Sequence, residues 1–405
     1  MAARLGRRAS WSLSGRGLFL PSSHFRGNPL ISFTTAPQPE FQIPYTRCWY
    51  TDARYSSTAA AFNAGSEAVQ SIVKRMLDRH REAVIERSQV LDANQLQKLC
   101  ITLDRQFGST DLGTVVPRGY HLVYFTPSDF ESELGCDGTD QPFAPGPPFT
   151  RRMWAGGRVQ WYPENPLRVG AHVTETTKLL DVVPKSGRGG NTMLIATVEK
   201  VFSTAQGPAV REERTWVFLE PPAKPSAAHQ PKESTREGTW SRSSVSHESG
   251  GSPFDRRLLR KSAQALFRFS ALTFNAHMIH YNQDWCRDVE GLPDLVVHGP
   301  LNLIEMMNYW RDIHGQKGNL QPLEVSYRAI SPLFVDEEAV MSTDSIQEVE
   351  DGSGSGQLIY KIRLSKSGSK SEGSQSSKLK TVMEGEIRAG RVDGLPILAE
   401  ASRLD

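Results

Sequence analysis

The 405-residue chain carries 47 Lys and Arg against 45 Asp and Glu, for a net charge of +2, with 38% apolar and 23% charged residues. This balance gives no case for a nucleic-acid or membrane-surface binder and fits a globular protein with polar insertions. Its length allows two or three domains, no apolar run approaches the ~20 residues of a membrane span, and Cys48, Cys100, Cys136 and Cys286 show neither metal-ligand spacing nor the number for a disulfide framework.

Residues 1–60 read as leader and linker. Arg4, Arg7, Arg8, Arg16 and Arg26 all precede the first acidic residue, Glu40, among frequent serines. That is the composition of a mitochondrial transit peptide. Residues 66–107 carry a helical pattern, with Val69, Ile72, Val73, Met76 and Leu77 at three- and four-residue spacing. Asp92 is placed to cap a second helix over 93–99. From Tyr120 to Leu219 the pattern turns strand-like, in the runs HLVYF (121–125), GRVQWY (157–162), AHVTETTKLLDVV (171–183), NTMLIATVEKVF (191–202) and RTWVFLE (214–220). The segment KSGRGG at 185–190 lacks Walker spacing and reads as a hairpin loop.

Residues 221–257 are too polar to bury a core and read as a disordered linker. A second globular unit occupies 258–405, with a disordered Ser/Gly/Lys-rich insertion near 366–378. A short internal repeat supports two related units. Val159, Trp161, Pro166, Leu167 and Val169 match Val325, Tyr327, Pro332, Leu333 and Val335 at an offset of 166. The helix that opens at Gly299-Pro300 is apolar except for Asn302, Glu305, Asn308 and Asp312, so it needs near-complete enclosure by the strands that follow.

The chemistry concentrates in Phe269–Pro300, FSALTFNAHMIHYNQDWCRDVEGLPDLVVHGP. His280 is a candidate acid/base, since a neutral imidazole with a reference pKa of ~6.5 accepts and returns protons near neutral pH. Asn275 cannot take a proton but can hold a water or hydroxyl. The N–H of Gly299, at a helix start, is a candidate oxyanion donor. His277 and His298 read as supporting groups. A metal is not expected, because no carboxylate or cysteine completes a ligand set around His277 and His280.

The Phe269–Pro300 segment resembles the active-site segment of MaoC-like, (R)-specific enoyl-thioester hydratases and dehydratases, which are hotdog-fold proteins. RRMWAGGRVQWYPENPLRVG at 151–170 resembles the first hotdog of the double-hotdog branch. That branch includes mitochondrial 3-hydroxyacyl-thioester dehydratase type 2 and mesaconyl-C4-CoA hydratase-like proteins. In the family pattern Asp-x-Asn-Pro-Leu-His, the final His falls on His280, and the later His-Gly falls on His298-Gly299. The leading Asp falls on Asn275, and the inner Asn and Pro fall on His277 and Met278. If the carboxylate is lost at 275, either another acid, Asp284 or Glu305, compensates, or proton traffic runs through His280 alone.

The resemblance implies an α+β double hotdog, each unit an antiparallel sheet wrapped around a long central helix. The N-terminal hotdog (66–220) would bind acyl chains without a catalytic His, and the C-terminal hotdog would be catalytic. At the repeat offset, Ser109, Thr114 and Glu133 stand where the second unit has Asn275, His280 and Gly299. The implied activity is that of a hydro-lyase, dehydrating (3R)-hydroxyacyl thioesters to trans-2-enoyl thioesters, and the reverse, in mitochondrial matrix fatty-acid synthesis. The alternatives are a hydratase of the mesaconyl-C4-CoA type or a silent acyl-thioester-binding protein. His280, Asn275 and Gly299 would be catalytic. Trp154 and His298 would line the substrate, and Arg151, Arg152 and Arg158 would meet its pantetheine phosphates. No cofactor is implied. The partner would be an acyl-ACP or acyl-CoA thioester, with acyl carrier protein as a docking partner, and a monomer or weak homodimer would suffice. A basic residue deep in the acyl pocket would favour a dicarboxylic acyl group, and an open apolar tunnel a growing fatty chain.

Overall fold

The computed structural model describes residues 65–106, 109–187, 190–222, 244–248, 256–315, 320–350, 356–367 and 379–391. The leader and most of the 221–257 linker lie outside them, as does the 368–378 part of the later insertion. The described helices are α1 (Glu67–His80), α2 (Ala93–Thr102), α3 (Ala263–Thr273) and α4 (Gly299–Trp310). The described strands are β1 (Ile85–Val90), β2 (Arg151–Trp161), β3 (His172–Ser186), β4 (Thr192–Thr204), β5 (Gly207–Leu219), β6 (Ser244–Glu248), β7 (Arg256–Arg260), β8 (Leu320–Ala329), β9 (Glu338–Glu350), β10 (Gly356–Ser367) and β11 (Leu379–Arg391).

These strands form one sheet in the order β1-β3-β4-β5-β2-β8-β11-β10-β9-β7-β6. Each half repeats one plan, so β1, β2, β3, β4 and β5 correspond to β7, β8, β9, β10 and β11. The halves join where β2 pairs antiparallel with β8, and there Val159 faces Val325. Those two residues are partners in the sequence repeat, so the pseudo-twofold axis passes through their pair. The repeat continues beyond the strands. Val116 N donates to Leu167 O and Val297 N to Leu333 O, each at 2.8 Å. Val169 N donates to Thr114 O and Val335 N to Leu295 O, again at 2.8 Å. Outside the strands the correspondence therefore has a different offset from 166. Pro117 and Arg118, rather than Glu133, stand where His298 and Gly299 do.

Helix α4 is the interior of the second half, and every residue from Leu301 to Trp310 is buried. Its polar members are buried too, and two of them are held by partners from outside the helix. Glu305 pairs with Lys261. Asn308 Oδ1 accepts from Tyr120 Oη at 3.0 Å and from Arg311 at 2.6 Å. Asp312, just past the helix, takes both guanidinium arms of Arg105 at 2.7 Å.

In the first half the α4 position holds a single tight turn, Tyr120–Val123. This corrects the strand reading of HLVYF. A short run of buried aromatic and aliphatic residues has no periodicity by which to separate turn from strand. The long helix packed on this half is α1, whose Val69, Ile72, Val73 and Met76 cover one end of the sheet at Val182, Leu194, Val198, Trp216 and Phe218. Ser66 caps it by accepting from Val69 N, and Asp92 caps α2 by accepting from Gln95 N at 2.8 Å. Between the two helices lies β1, which the helical reading of 66–107 missed.

Candidate active site

Helix α3 ends at Phe274, whose left-handed backbone (φ 48°) turns the chain out of the helix. Asn275 Oδ1 then accepts from His277 N at 3.1 Å, closing a side-chain turn. A tight turn over Met278–His280 follows and delivers both histidines to one wall. His280 Nδ1 lies 2.7 Å from Val296 O. A carbonyl only accepts, so Nδ1 carries the proton and Nε2 keeps its lone pair. Burial lowers the His280 pKa to about 4, against a partial rise from the Val296 bond. The ring is therefore neutral at physiological pH, with Nε2 unprotonated.

The imidazole of His298 stacks on that of His280, with centroids 3.6 Å apart and planes 16° from parallel. Its Nε2 meets Ser270 Oγ at 2.9 Å. His277 stands edge-on to His280 at 5.5 Å. Burial pushes both His277 and His298 well below the usual imidazole range, and the neighbouring His280 adds to the effect.

His298 is followed by Gly299, the first residue of α4, with Pro300 in the first turn. The N–H groups of that turn have no partner within the helix, and the dipole places positive potential on them. Trp154 from β2 covers Gly299 so closely that a Cβ at 299 would overlap the indole ring. Trp154 also stacks on Tyr327 at 4.6 Å, across the β2–β8 seam. Its Nε1 is buried with no hydrogen-bond partner among the described residues.

Asn275, His277, His280, His298, Gly299, Trp154 and Arg152 all line one cleft of about 570 Å³ between the halves. Arg151 does not line it and is paired with Glu290 at 2.5 Å. Arg152 does, but Asp140 holds it at 2.6 Å and its guanidinium lies over Trp216. Leu122, Tyr124 and Phe125 also line the cleft. The space opens because the first half has a turn where the second has a helix.

Sequence reasoning missed two features. The first is a charged belt on the first half's inner face. Along β4, Lys200 falls between Val198 and Phe202 in the buried register. It pairs with Glu175 at 2.8 Å and with Thr177 at 3.0 Å. Arg87 lies 3.6 Å from Glu175, and Arg214 grips Glu212 at 2.7 and 3.0 Å. Arg87, Glu175, Thr177, Lys200 and Arg214 line the cleft. Burial lowers the Lys200 pKa, and Glu175 opposes that shift. Burial works against the Glu212 carboxylate, yet Arg214 holds it well below the usual range. Charged residues at alternating core positions were the readable signal. The second feature is Asp137, from the loop before β2, 3.5 Å from His277. No local pattern marked it.

The compensating acids expected from sequence lie elsewhere. Glu305 is committed to Lys261, and Asp284 is exposed.

The family model for hydroxyacyl-thioester dehydratase type 2 matches residues 119–335, a span that holds every cleft residue from Leu122 to Leu333 named here. A mesaconyl-C(4)-CoA hydratase of Chloroflexus aurantiacus is 32% identical over 235 residues, 58% of this chain and 76% of the relative. The mitochondrial hydroxyacyl-thioester dehydratase type 2 of Schizosaccharomyces pombe is 25% identical over 285 residues, 63% of this chain and 85% of that one. A solved MaoC-like dehydratase superposes with a TM-score of 0.51 at 13% identity, covering 78% of this chain and 99% of its own, a likeness of fold.

Proposed function

The chain belongs to the hydroxyacyl-thioester dehydratase type 2 family, and from that premise we propose that it interconverts (3R)-hydroxyacyl and trans-2-enoyl thioesters in mitochondrial fatty-acid synthesis. The observation that carries this reading is the pairing of His280 and Gly299 in one cleft. The Val296 carbonyl fixes the His280 tautomer so that Nε2 is the base, and the first N–H of α4 is free for the thioester oxygen. In dehydration Nε2 removes the C2 proton, and the C–H electrons form the C2=C3 bond as C3–O breaks. The imidazolium returns its proton to the departing hydroxyl, which leaves as water. Negative charge gathering on the thioester oxygen is met by the Gly299 N–H, a kind of contact whose loss typically costs ~10²–10³ in rate. Asn275 spends its Oδ1 on His277 N, leaving its amide NH₂ to hold the hydroxyl.

The test is hydration of crotonyl-CoA by the purified protein beside His280→Ala. A parent that hydrates and a variant slower by about 10²–10⁴-fold support the reading. A parent inactive on every acyl thioester would leave a silent binding protein. The carrier, acyl carrier protein or CoA, follows from comparing kcat/KM on the two thioesters of one acyl group.

The charged belt favours a second reading of the acyl group. Three cations, Arg87, Lys200 and Arg214, stand among two carboxylates, Glu175 and Glu212. An apolar fatty tail reaching these groups would strip water from Arg87, whose Nε has no partner among the described residues. An acyl group ending in a carboxylate would meet the surplus positive charge.

A further inference from the structure

We propose that Asp137, contributed by the first half, is the carboxylate of the active site. It orients His277 and balances the positive charge that the histidine cluster takes up in turnover. The inference rests on the hydratase reading for its kinetic consequences, though the pair itself stands on geometry.

Asp137 is only 4% exposed. Its two oxygens have different surroundings. Oδ1 accepts from Thr139 N at 3.0 Å and from Thr139 Oγ1 at 2.7 Å, a local turn. Oδ2 is buried, accepts no hydrogen bond among the described residues and lies 3.5 Å from His277 Nε2. A buried carboxylate oxygen without a partner is costly unless something else uses it. The loop is also locked onto the catalytic turn. Met278 N donates to Asp137 O at 2.8 Å. Gly138, at φ +81°, sits against Ala276 O where any Cβ would overlap the carbonyl. The contact between the halves here is main chain on main chain, so it fixes Asp137 relative to both histidines.

The nearby acids are otherwise committed. Glu290 is held by Arg151, Asp140 by Arg152, and Glu305 by Lys261. Asn275 has no charge to give. On this proposal a proton sits on His277 Nε2, which faces Asp137 Oδ2 at 3.5 Å, and His277 lines the cleft. When His280 takes the C2 proton, the cluster of His277, His280 and His298 gains one positive charge. Asp137 is the unpaired counter-charge facing it, and the proton returns to the leaving hydroxyl as before. Asp137 is thus a positioning residue acting through His277. The groups facing His277 are His280 from its own turn, His298 from the start of α4, Arg151 and Arg152 from β2, and Asp137 from the preceding loop.

Asp137→Asn isolates the charge, because its side-chain oxygen still serves Thr139. The expected result is an unchanged thermal midpoint and crotonyl-CoA hydration with kcat reduced by about 10²-fold. Its acid limb in kcat/KM should move to lower pH, since an imidazole that loses a neighbouring negative charge becomes harder to protonate. In a His277→Gln background the same substitution should add almost nothing. A variant with the parent's kcat and pH profile, or effects of the two substitutions that multiply, would overturn the proposal. Ring-nitrogen NMR of histidine gives a readout that needs no turnover. The His277 Nε2–H signal should shift or vanish in Asp137→Asn and stay in the parent, and an unmoved signal would refute the pair. A parent inactive on every thioester would count against the hydratase reading, while the NMR result would still decide the pair.

Discussion

The two halves share a strand plan and differ in what fills it. In the second half α4 occupies the interior with a nearly continuous apolar surface, its Glu305 paired with Lys261 and its Asn308 oxygen with Tyr120. In the first half the same position holds one turn, and the inner face carries Glu175, Lys200, Glu212 and Arg214 where core aliphatics would be expected. The packed half can hold catalytic groups rigidly because a close-packed interior leaves side chains few alternatives. The hollow half leaves a cleft lined by charged groups, which on the proposed reading is room for the substrate. One fold therefore serves as scaffold on one side and as container on the other.

Three experiments sharpen or break this contrast. The largest effect should come from Gly299→Ala. The added methyl meets Trp154, displaces the N–H from the thioester oxygen and lowers kcat by about 10²–10³-fold. Full activity in that variant would mean the start of α4 is scaffold only. Next comes acid stability, expected to belong to the second half's histidines. Folded His280 titrates near 4 rather than 6.5. Between those pH values the unfolded chain binds a proton that the fold refuses, so stability is complete above pH 6.5 and falls as pH drops toward 4. His280 alone accounts for about 3 kcal/mol of that loss, and His277 and His298 act in the same direction. Urea unfolding at pH 7.5 and 4.5 measures the drop, and the same experiment on His280→Phe should recover part of it. The smallest effect is one of selectivity. Lys200→Met, which leaves Arg87 beside Glu175, should lower kcat/KM about tenfold or more for an enoyl thioester ending in a carboxylate. Its kcat/KM for crotonyl-CoA should change little. Equal losses on both substrates would make the belt a structural ion network.

The sequence made some of this readable and hid the rest for physical reasons. Strands β2 to β5 were legible as β-rich runs broken by turn residues, and α4 through a surface apolar on all but a narrow stripe. The repeat at Val159 and Val325 pointed to two related units, and the structure pairs those two residues at the seam. The HLVYF turn was unreadable because burial of a short aromatic run looks the same in any local conformation. His280, Asn275 and Gly299 were legible because one continuous segment carries them. Asp137 was not, since its partner lies far along the chain and only the docking of one half on the other unites them. The belt left a trace, charge at core register in β4 and β5, that a strand-by-strand reading of alternation would have caught.

The join at Val159 and Val325 has one more consequence. Two identical chains meeting along such an axis would carry every change in duplicate: hollowing one interior would hollow both, and a carboxylate aimed across the join would appear on each side. Placing both halves on one polypeptide removes that constraint. Each side can then be altered alone, and asymmetry becomes heritable without a second gene product.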